Sequence, residues 1–146
     1  MTPKISIIMP NFNSEKYLSA TVKSVLSQNF KSWELIIVDD NSNQKTIEIL
    51  KKFNKYKKIK VKFLKKNKGA AYCRNIALKK ARGNYLAFLD SDDLWNKKKL
   101  YLQYNFMKKN NFLFSYTNYQ TFGTKKKIIS PPSKYNFSTF VYNTSI

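Results

Sequence analysis

Short runs of β-branched and aliphatic residues recur along the chain. They are separated by stretches whose apolar positions fall three or four residues apart. Lys4–Met9 (KISIIM) is the first run, a buried strand closed by Pro10, which has no amide hydrogen to donate. Pro10–Asn13 reads as a loop, with Asn13 or Ser14 able to cap the helix that follows. In that helix Leu18, Val22, Val25 and Leu26 make one apolar stripe, ending near Gln28 and Asn29. Trp33–Val38 (WELIIV) predicts a second strand that runs into Asp39-Asp40 and then Asn41-Ser42. Thr46–Phe53 predicts a second helix with Ile47, Leu50 and Phe53 inward. Ile59–Leu64 (IKVKFL) alternates apolar residues with lysine, so this strand has one solvated face or lies near an edge.

A turn at Asn67-Lys68-Gly69 precedes a third helix over Ala70–Ala81 that buries Cys73, Ile76 and Ala77, with Gly83 as its C-cap. Tyr85–Leu89 predicts a fourth buried strand, surfacing at Asp90-Ser91-Asp92-Asp93. A fourth helix is expected over Asn96–Lys109, with Leu100, Tyr104 and Met107 inward, then a further strand over Phe112–Tyr119. Lys125–Ser130 is a strand candidate broken by Pro131-Pro132, and Tyr135–Ile146 carries no clear period. Strands alternating with helices predict an α/β fold: a mostly parallel sheet with right-handed crossovers and helices on both faces.

In such a sheet ligands bind at the C-terminal ends of the strands, where strand order reverses. Asn11 and Asn13 follow the first strand, Asp39 and Asp40 the second, and Asp90, Asp92 and Asp93 the fourth. Five of the eight acids therefore gather on one edge of a chain with net charge +20. Carboxylates this close repel one another unless something positive is held among them, and Mg²⁺ or Mn²⁺ prefers such oxygen ligands and often shares them with a substrate phosphate. The competing reading is an acidic turn in which Asp92 or Asp93 caps the next helix. A carboxylate after the second strand commonly accepts hydrogen bonds from a ribose hydroxyl or a base N–H. No GxGxxG and no Walker lysine motif is present, which argues against a dinucleotide fold or a P-loop. A metal ion must then offset a diphosphate, with Asp90–Asp92 as its site, helped by Arg74 and Lys68.

Composition narrows the field. At 146 residues and 42% hydrophobic the chain suits one domain with a real core, and no apolar run approaches the ~20 residues of a membrane span. The N-terminal MTPKISIIMPNF lacks a signal-peptide pattern. A single cysteine excludes an internal disulfide, and the absence of histidine excludes His ligands and His bases within this chain. These point to the cytoplasm. The positive charge invites an anionic partner, but the lysines are spread along the chain and base readout favours Arg, present only as Arg74 and Arg82. No specific nucleic acid is expected; peripheral attraction to the inner face of the membrane fits better. Cys73 reads as a small buried helix residue rather than a nucleophile, Trp95 as core rather than a sugar-stacking ring, and Phe112, Phe114, Tyr116 and Tyr119 as strand packing.

Five segments together carry a resemblance: Ser6–Asn13 (SIIMPNFN), Leu18–Gln28, Leu35–Ser42 (LIIVDDNS), Asn67–Ala77 (NKGAAYCRNIA) and Tyr85–Trp95 (YLAFLDSDDLW). In this order and spacing, over residues 3 to about 105, the chain resembles the N-terminal part of a family 2 glycosyltransferase, the inverting group with the GT-A fold. The resemblance implies a nucleotide-sugar donor, usually a UDP-sugar, a glycan, cell-envelope polysaccharide or lipid-linked acceptor, and Mn²⁺ or Mg²⁺ as cofactor. It implies that Pro10, Asn11, Phe12, Asn13 and Asp39 hold the nucleobase with Asp40 beside them, and that Arg74 lies near the diphosphate or donor sugar. The family's Asp-x-Asp motif falls on Asp90, Ser91 and Asp92, with Asp90 near the ribose or sugar and Asp92 on the metal. Cys73 stands where the family usually has Ala, and Ala77 where it usually has Gly.

The family removes the acceptor proton with an Asp or Glu well downstream of the metal site, and this sequence has no acidic residue after Asp93. The expectation is a C-terminally incomplete GT-A fold: residues 1–122 as the nucleotide-sugar-binding half, 123–146 as the start of an acceptor-side region, and the general base beyond Ile146. A non-catalytic nucleotide-binding fragment is the alternative.

Overall fold

The computed structural model describes residues 2–122 and 126–130. The chain forms two compact units, Met1–Asn105 and Phe106–Ile146. The expected boundary at 122/123 abuts residues outside the described set, as do Pro131-Pro132 and residues 135–146.

In the first unit the order is β1 (Ile5–Asn11), α1 (Leu18–Leu26), β2 (Trp33–Asp39), α2 (Gln44–Phe53), β3 (Ile59–Phe63), α3 (Ala70–Leu78) and β4 (Tyr85–Phe88), and α4 (Lys99–Asn110) begins there. Four parallel strands make one sheet in the order β3-β2-β1-β4. The chain therefore steps outward from β1 to β3 and then returns to the far side of β1. That reversal opens the crevice where an α/β sheet binds its ligand.

Every residue of β1 and β2 is buried, because both central strands have a helix layer on each face. Ile5, Ile7, Met9, Leu35 and Ile37 pack one face with Leu18, Val22 and Val25 of α1 and Leu50 and Phe53 of α2. Ile8, Ile36 and Val38 pack the other with Cys73 and Ala77 of α3. Each such aliphatic side chain contributes about 1.5–3 kcal/mol on full burial. The lysine-alternating β3 is an edge strand, as its pattern predicts.

Pro10 does not stop β1. It pairs with Val38, and the strand continues to Asn11. The Ile8 carbonyl faces β4 and the Asn11 carbonyl faces β2, accepting from Leu89 and Asp40. By alternation, Pro10's missing donor points toward β4, whose ladder ends at Ile8↔Phe88. The missing N–H leaves no gap in the ladder.

Other expectations shift. Tyr85–Leu89 is not wholly buried: β4 is the second edge strand, Tyr85 and Ala87 face the core, and Leu86 and Phe88 are 49% and 56% exposed. Neither Asn13 nor Ser14 is the side-chain cap of α1; Tyr17 is its N-cap residue, and the Ser14 carbonyl accepts from Tyr17 and Leu18 in a preceding turn. In α2 the inward residues are Thr46, Leu50 and Phe53, with Ile47 half-buried. Helix α3 ends at Leu78, so Gly83 is not its cap. Gly83 instead lies against β1, where a Cβ would stand 2.5 Å from the Ser6 nitrogen and 2.7 Å from the Ile5 carbonyl carbon. Trp95 packs on the core as expected, with the Lys99 ammonium 5.1 Å from its ring centre.

In the second unit the Phe106 and Phe112 rings meet at 5.4 Å, tilted by 59°, and the Phe112 N–H returns to the Met107 carbonyl. The strand expected over Phe112–Tyr119 does not form. Only its last residue enters β5 (Tyr119–Gln120), which pairs antiparallel with β6 (Ile128–Ile129), within the Lys125–Ser130 candidate. The strand preference of Phe and Tyr is a packing preference, expressed only where a neighbouring strand offers the surface.

Candidate functional site

At the C-terminal ends of β1, β2 and β4 lies an open cleft of about 420 Å³. One wall is Pro10–Ser14 and Tyr17, the floor is Asp40, Ala70, Cys73 and Arg74, and the opposite wall is Asp90–Asp92. Of the eleven residues singled out from sequence, nine line it; Asp39 and Lys68 do not.

Asp39 stands directly behind the wall. Its Oδ1 accepts from Asn11 Nδ2 at 2.7 Å and Ser42 Oγ at 2.6 Å, and its Oδ2 from the Ser42 N–H at 3.1 Å. Ser14 donates its hydroxyl to Asn11 Oδ1. Ser42 Oγ accepts from the Asn13 N–H at 2.9 Å, and Asn13 Oδ1 accepts from the Asn43 N–H at 2.8 Å. The loops after β1 and β2 are thus clasped to each other. Two sharp turns make this possible, at Asn13 (φ 45°) and Asn41 (φ 65°), a left-handed region that Asn tolerates better than most residues. Two of these partners, Ser42 and Asn43, are short polar residues that sequence inspection leaves as ordinary loop residues.

Asp40 turns the other way. Its two oxygens accept from the Lys68 and Gly69 N–H groups, both at 2.7 Å, at the start of α3. A carboxylate there meets the positive end of the helix. Lys68 therefore reaches the site through its backbone. Gly69 is needed for its φ of 87°, since nothing lies within 4 Å of where its Cβ would be.

Arg74 projects from α3 and donates Nη2 to Asp90 Oδ1 at 2.6 Å. Asp92 is exposed on the same turn. Burial, then the charges of Asp92 and Asp90, push the Asp93 carboxyl above its ordinary value, which registers the crowding of carboxylates. Cys73 is fully buried beneath the cleft; burial, then the charge and hydrogen bond of Asp40, push its thiol to about 11, so it is no nucleophile at neutral pH.

The turn bearing Asp90–Asp92 is held from α1 by a stripe that sequence reading missed. Thr21 Oγ1 donates to the Ser91 carbonyl at 3.0 Å, Ser24 Oγ accepts from the Trp95 N–H at 3.2 Å, and Gln28 Nε2 donates to the Asn96 carbonyl at 2.8 Å. Gln28 Oε1 also accepts from the Leu100 N–H at 3.1 Å. Thr21 and Ser24 lie on α1, and Gln28 follows just past its C-cap. Polar residues on a face beside a buried stripe were the available signal.

Among the described residues no three His, Cys, Asp or Glu side chains are gathered to hold a metal by themselves. The donors on offer are hard oxygens from Asp90 and Asp92 at the edge of an open cleft. That suits a Mg²⁺ or Mn²⁺ ion bound through one or two carboxylates with substrate phosphates completing its shell, and suits no softer metal.

Comparison with known proteins bears on the family and the fold. The chain is 43% identical over 99% of its length to TuaG of Bacillus subtilis, named as a teichuronic acid biosynthesis glycosyltransferase, and spans 59% of that protein. It is 40% identical over 97% of its length to WfgD of Escherichia coli, named as a UDP-Glc:α-D-GlcNAc-diphosphoundecaprenol β-1,3-glucosyltransferase, and spans 56% of it. The Staphylococcus aureus TarS structure in complex with UDP superposes with a TM-score of 0.70 at 37% identity, over 74% of this chain and 33% of that one. The chain thus spans little more than half the length of these two curated relatives. Its sheet is the mostly parallel, helix-flanked sheet of the GT-A fold. The family model for glycosyl transferase family 2 matches residues 6–145, and the chain belongs to that family.

Proposed function

We propose that this chain binds the nucleotide diphosphate of an activated sugar, a UDP-sugar first among them, and supplies the donor half of an inverting transfer to a glycan, polysaccharide or lipid-linked acceptor. The observation that carries the reading is the meeting of three loops on one cleft: the Asn11–Asp39 clasp, the Arg74–Asp90 pair and exposed Asp92. The UDP- and UDP-GlcNAc-bound forms of TarS support a uridine donor.

On this reading the Pro10–Asn13 backbone and Asp39 hold the base, while Phe12 and Tyr17 offer it apolar faces. Arg74 lies one hydrogen bond from Asp90 and brings positive charge to the diphosphate. Asp92, with Asp90, would hold Mn²⁺ or Mg²⁺, which supplies Lewis-acid neutralisation of charge on the leaving diphosphate. Asp90 divides its oxygens between Arg74 and the cleft, so donor binding and the Arg74 contact are coupled. Thr21 keeps the carboxylate turn in place before the donor arrives, which lowers the ordering cost on binding.

From Leu94 onward the sequence has no Asp, Glu or His. We assign the base that takes the acceptor proton to sequence outside residues 1–146. The same observation favours a second reading for residues 1–146 alone: nucleotide binding without transfer.

Titration calorimetry separates these. UDP with Mn²⁺ should bind the 146-residue chain, chelation of the metal should weaken binding about tenfold or more, and Asp92→Asn should reproduce that loss without metal removal. No UDP binding with metal present would overturn the donor-site reading. Equal binding by Asp92→Asn in chelator and in Mn²⁺ would leave the metal assignment intact only if wild type differed between the two. Sugar transfer by the 146-residue chain would overturn placement of the base elsewhere.

A further inference from the structure

Basic residues run the length of the chain, but residues 49–89 carry fourteen of the twenty-eight and none of the eight acids that would offset them. That segment supplies the end of α2, the edge strand β3 and all of α3. We propose that the surface around β3 is a docking face for an anionic lipid bilayer.

Three observations converge on it. Strand β3 is an edge, and α3 packs on β1 and β2 rather than on β3. Ile59, Val61 and Phe63 turn to the core, which leaves Lys60 and Lys62 on the opposite side. There a groove of about 150 Å³ is lined by Ile36, Lys60, Val61, Lys62 and Lys80, a recess bordered by three ammonium groups. Exposed Lys65 and Lys66 continue the basic run beyond β3. The nearest carboxylate is Glu34, buried and already paired with Lys60 and Arg82, so it neutralises only part of the field.

Lysines on an open edge also discourage strand pairing. That role accounts for Lys60 and Lys62. It does not account for lysines on α2, beyond β3 and after α3, nor for the absence of any acid across the segment. Duplex readout favours Arg, and this face is almost entirely Lys. A bilayer asks only for basic charge near its surface, about fivefold in partitioning for each lysine. Among the described residues no helix is long and apolar enough to cross a membrane, so the contact proposed is peripheral.

The test is vesicle co-sedimentation of the 146-residue chain with neutral phosphatidylcholine vesicles and with vesicles containing phosphatidylglycerol. One variant carries Lys62→Gln, Lys65→Gln, Lys66→Gln and Lys80→Gln. A charge-matched control carries Lys97→Gln, Lys98→Gln, Lys108→Gln and Lys109→Gln, and circular dichroism shows that both are folded. Wild type should bind only the anionic vesicles, more weakly as salt rises. The β3-face variant, at about fivefold for each of four lysines, should lose several hundredfold in partitioning, and the control less than about fivefold. Equal losses in the two variants, or equal binding to neutral vesicles, would overturn the proposal. So would tighter binding to a short DNA duplex, abolished by the same four changes, which would assign the face to nucleic acid.

Discussion

Thr21 donates its hydroxyl to the carbonyl of Ser91, 3.0 Å away and seventy residues along the chain. The bond ties α1 to the middle of the turn that carries Asp90 and Asp92. Thr21→Val keeps the shape and removes the bond, costing about 1 kcal/mol. Under the donor-site reading its larger effect should be on metal-dependent UDP affinity, by about threefold to tenfold, read by calorimetry at fixed Mn²⁺. Unchanged affinity alongside the expected stability loss would mean the turn holds its shape without α1.

Gln28 is fully buried and serves three backbone groups, the Ser24 and Asn96 carbonyls and the Leu100 N–H. Gln28→Ala removes all three bonds and opens a cavity. The expected cost is about 2 kcal/mol or more, seen as a lower urea midpoint at unchanged slope. Gln28→Glu keeps an acceptor for Leu100 and should fall between.

Asp39 accepts three hydrogen bonds and donates none. Asp39→Asn turns one acceptor into a donor facing other donors. A stability loss of about 1–3 kcal/mol is expected, with weaker UDP binding if the clasp holds the base. Ser42→Ala should do less, because Asn11 remains on Asp39.

Gly83→Ala tests close packing rather than conformation. The new methyl would meet the backbone of Ile5 and Ser6 at 2.5–2.7 Å. Strand β1 would have to shift, at about 1–3 kcal/mol, measurable by thermal or chemical denaturation. A neutral outcome would show that the turn after α3 gives way easily.

Glu34 gathers Ser6 Oγ, the Arg82 N–H and guanidinium, and Lys60 Nζ. Burial raises its pKa, but the bonds from Lys60, Arg82 and Ser6 outweigh that and hold it below 4.5. A carboxyl lowered on folding stabilises above its unfolded value, and that contribution fades as pH falls through the folded one. Stability should therefore drop as pH falls below the ordinary carboxylate range, and Glu34→Gln should flatten that drop while lowering stability at neutral pH. Some slope should survive, because Glu15 is also lowered, by backbone and side-chain bonds including those from Thr46 and Asn43. An unchanged acid profile in Glu34→Gln would remove Glu34 from the account.

Much of the fold was legible because its signals are local. The alternation in IKVKFL marked an edge strand, since the apolar and lysine sides of a strand separate at every second residue. Leu18, Val22 and Val25 marked the inner face of α1 by spacing alone. The candidate cleft was legible because strand-end loops in a parallel sheet share an edge, so Asn11, Asp40 and Asp90 could be grouped before any coordinates.

What failed to show in the sequence depends on residues far apart in it. Pro10 looks like a strand stop until its missing donor is seen to face the end of β4. Phe112–Tyr119 looks like a strand until the sheet is seen not to receive it. Gly83 looks like a helix cap until β1 is found against it. The sequence by itself determined the alternating elements, the buried faces and the family, because periodicity and motif order are written within a few residues of each position. Only the tertiary structure decided that Asp40 binds the start of α3, that Arg74 meets Asp90, and that Thr21 holds the carboxylate turn while Gln28 anchors Asn96 and Leu100. Hydrogen bonds and ion pairs act over about 3 Å, and which groups come that close is settled by packing, not by separation along the chain.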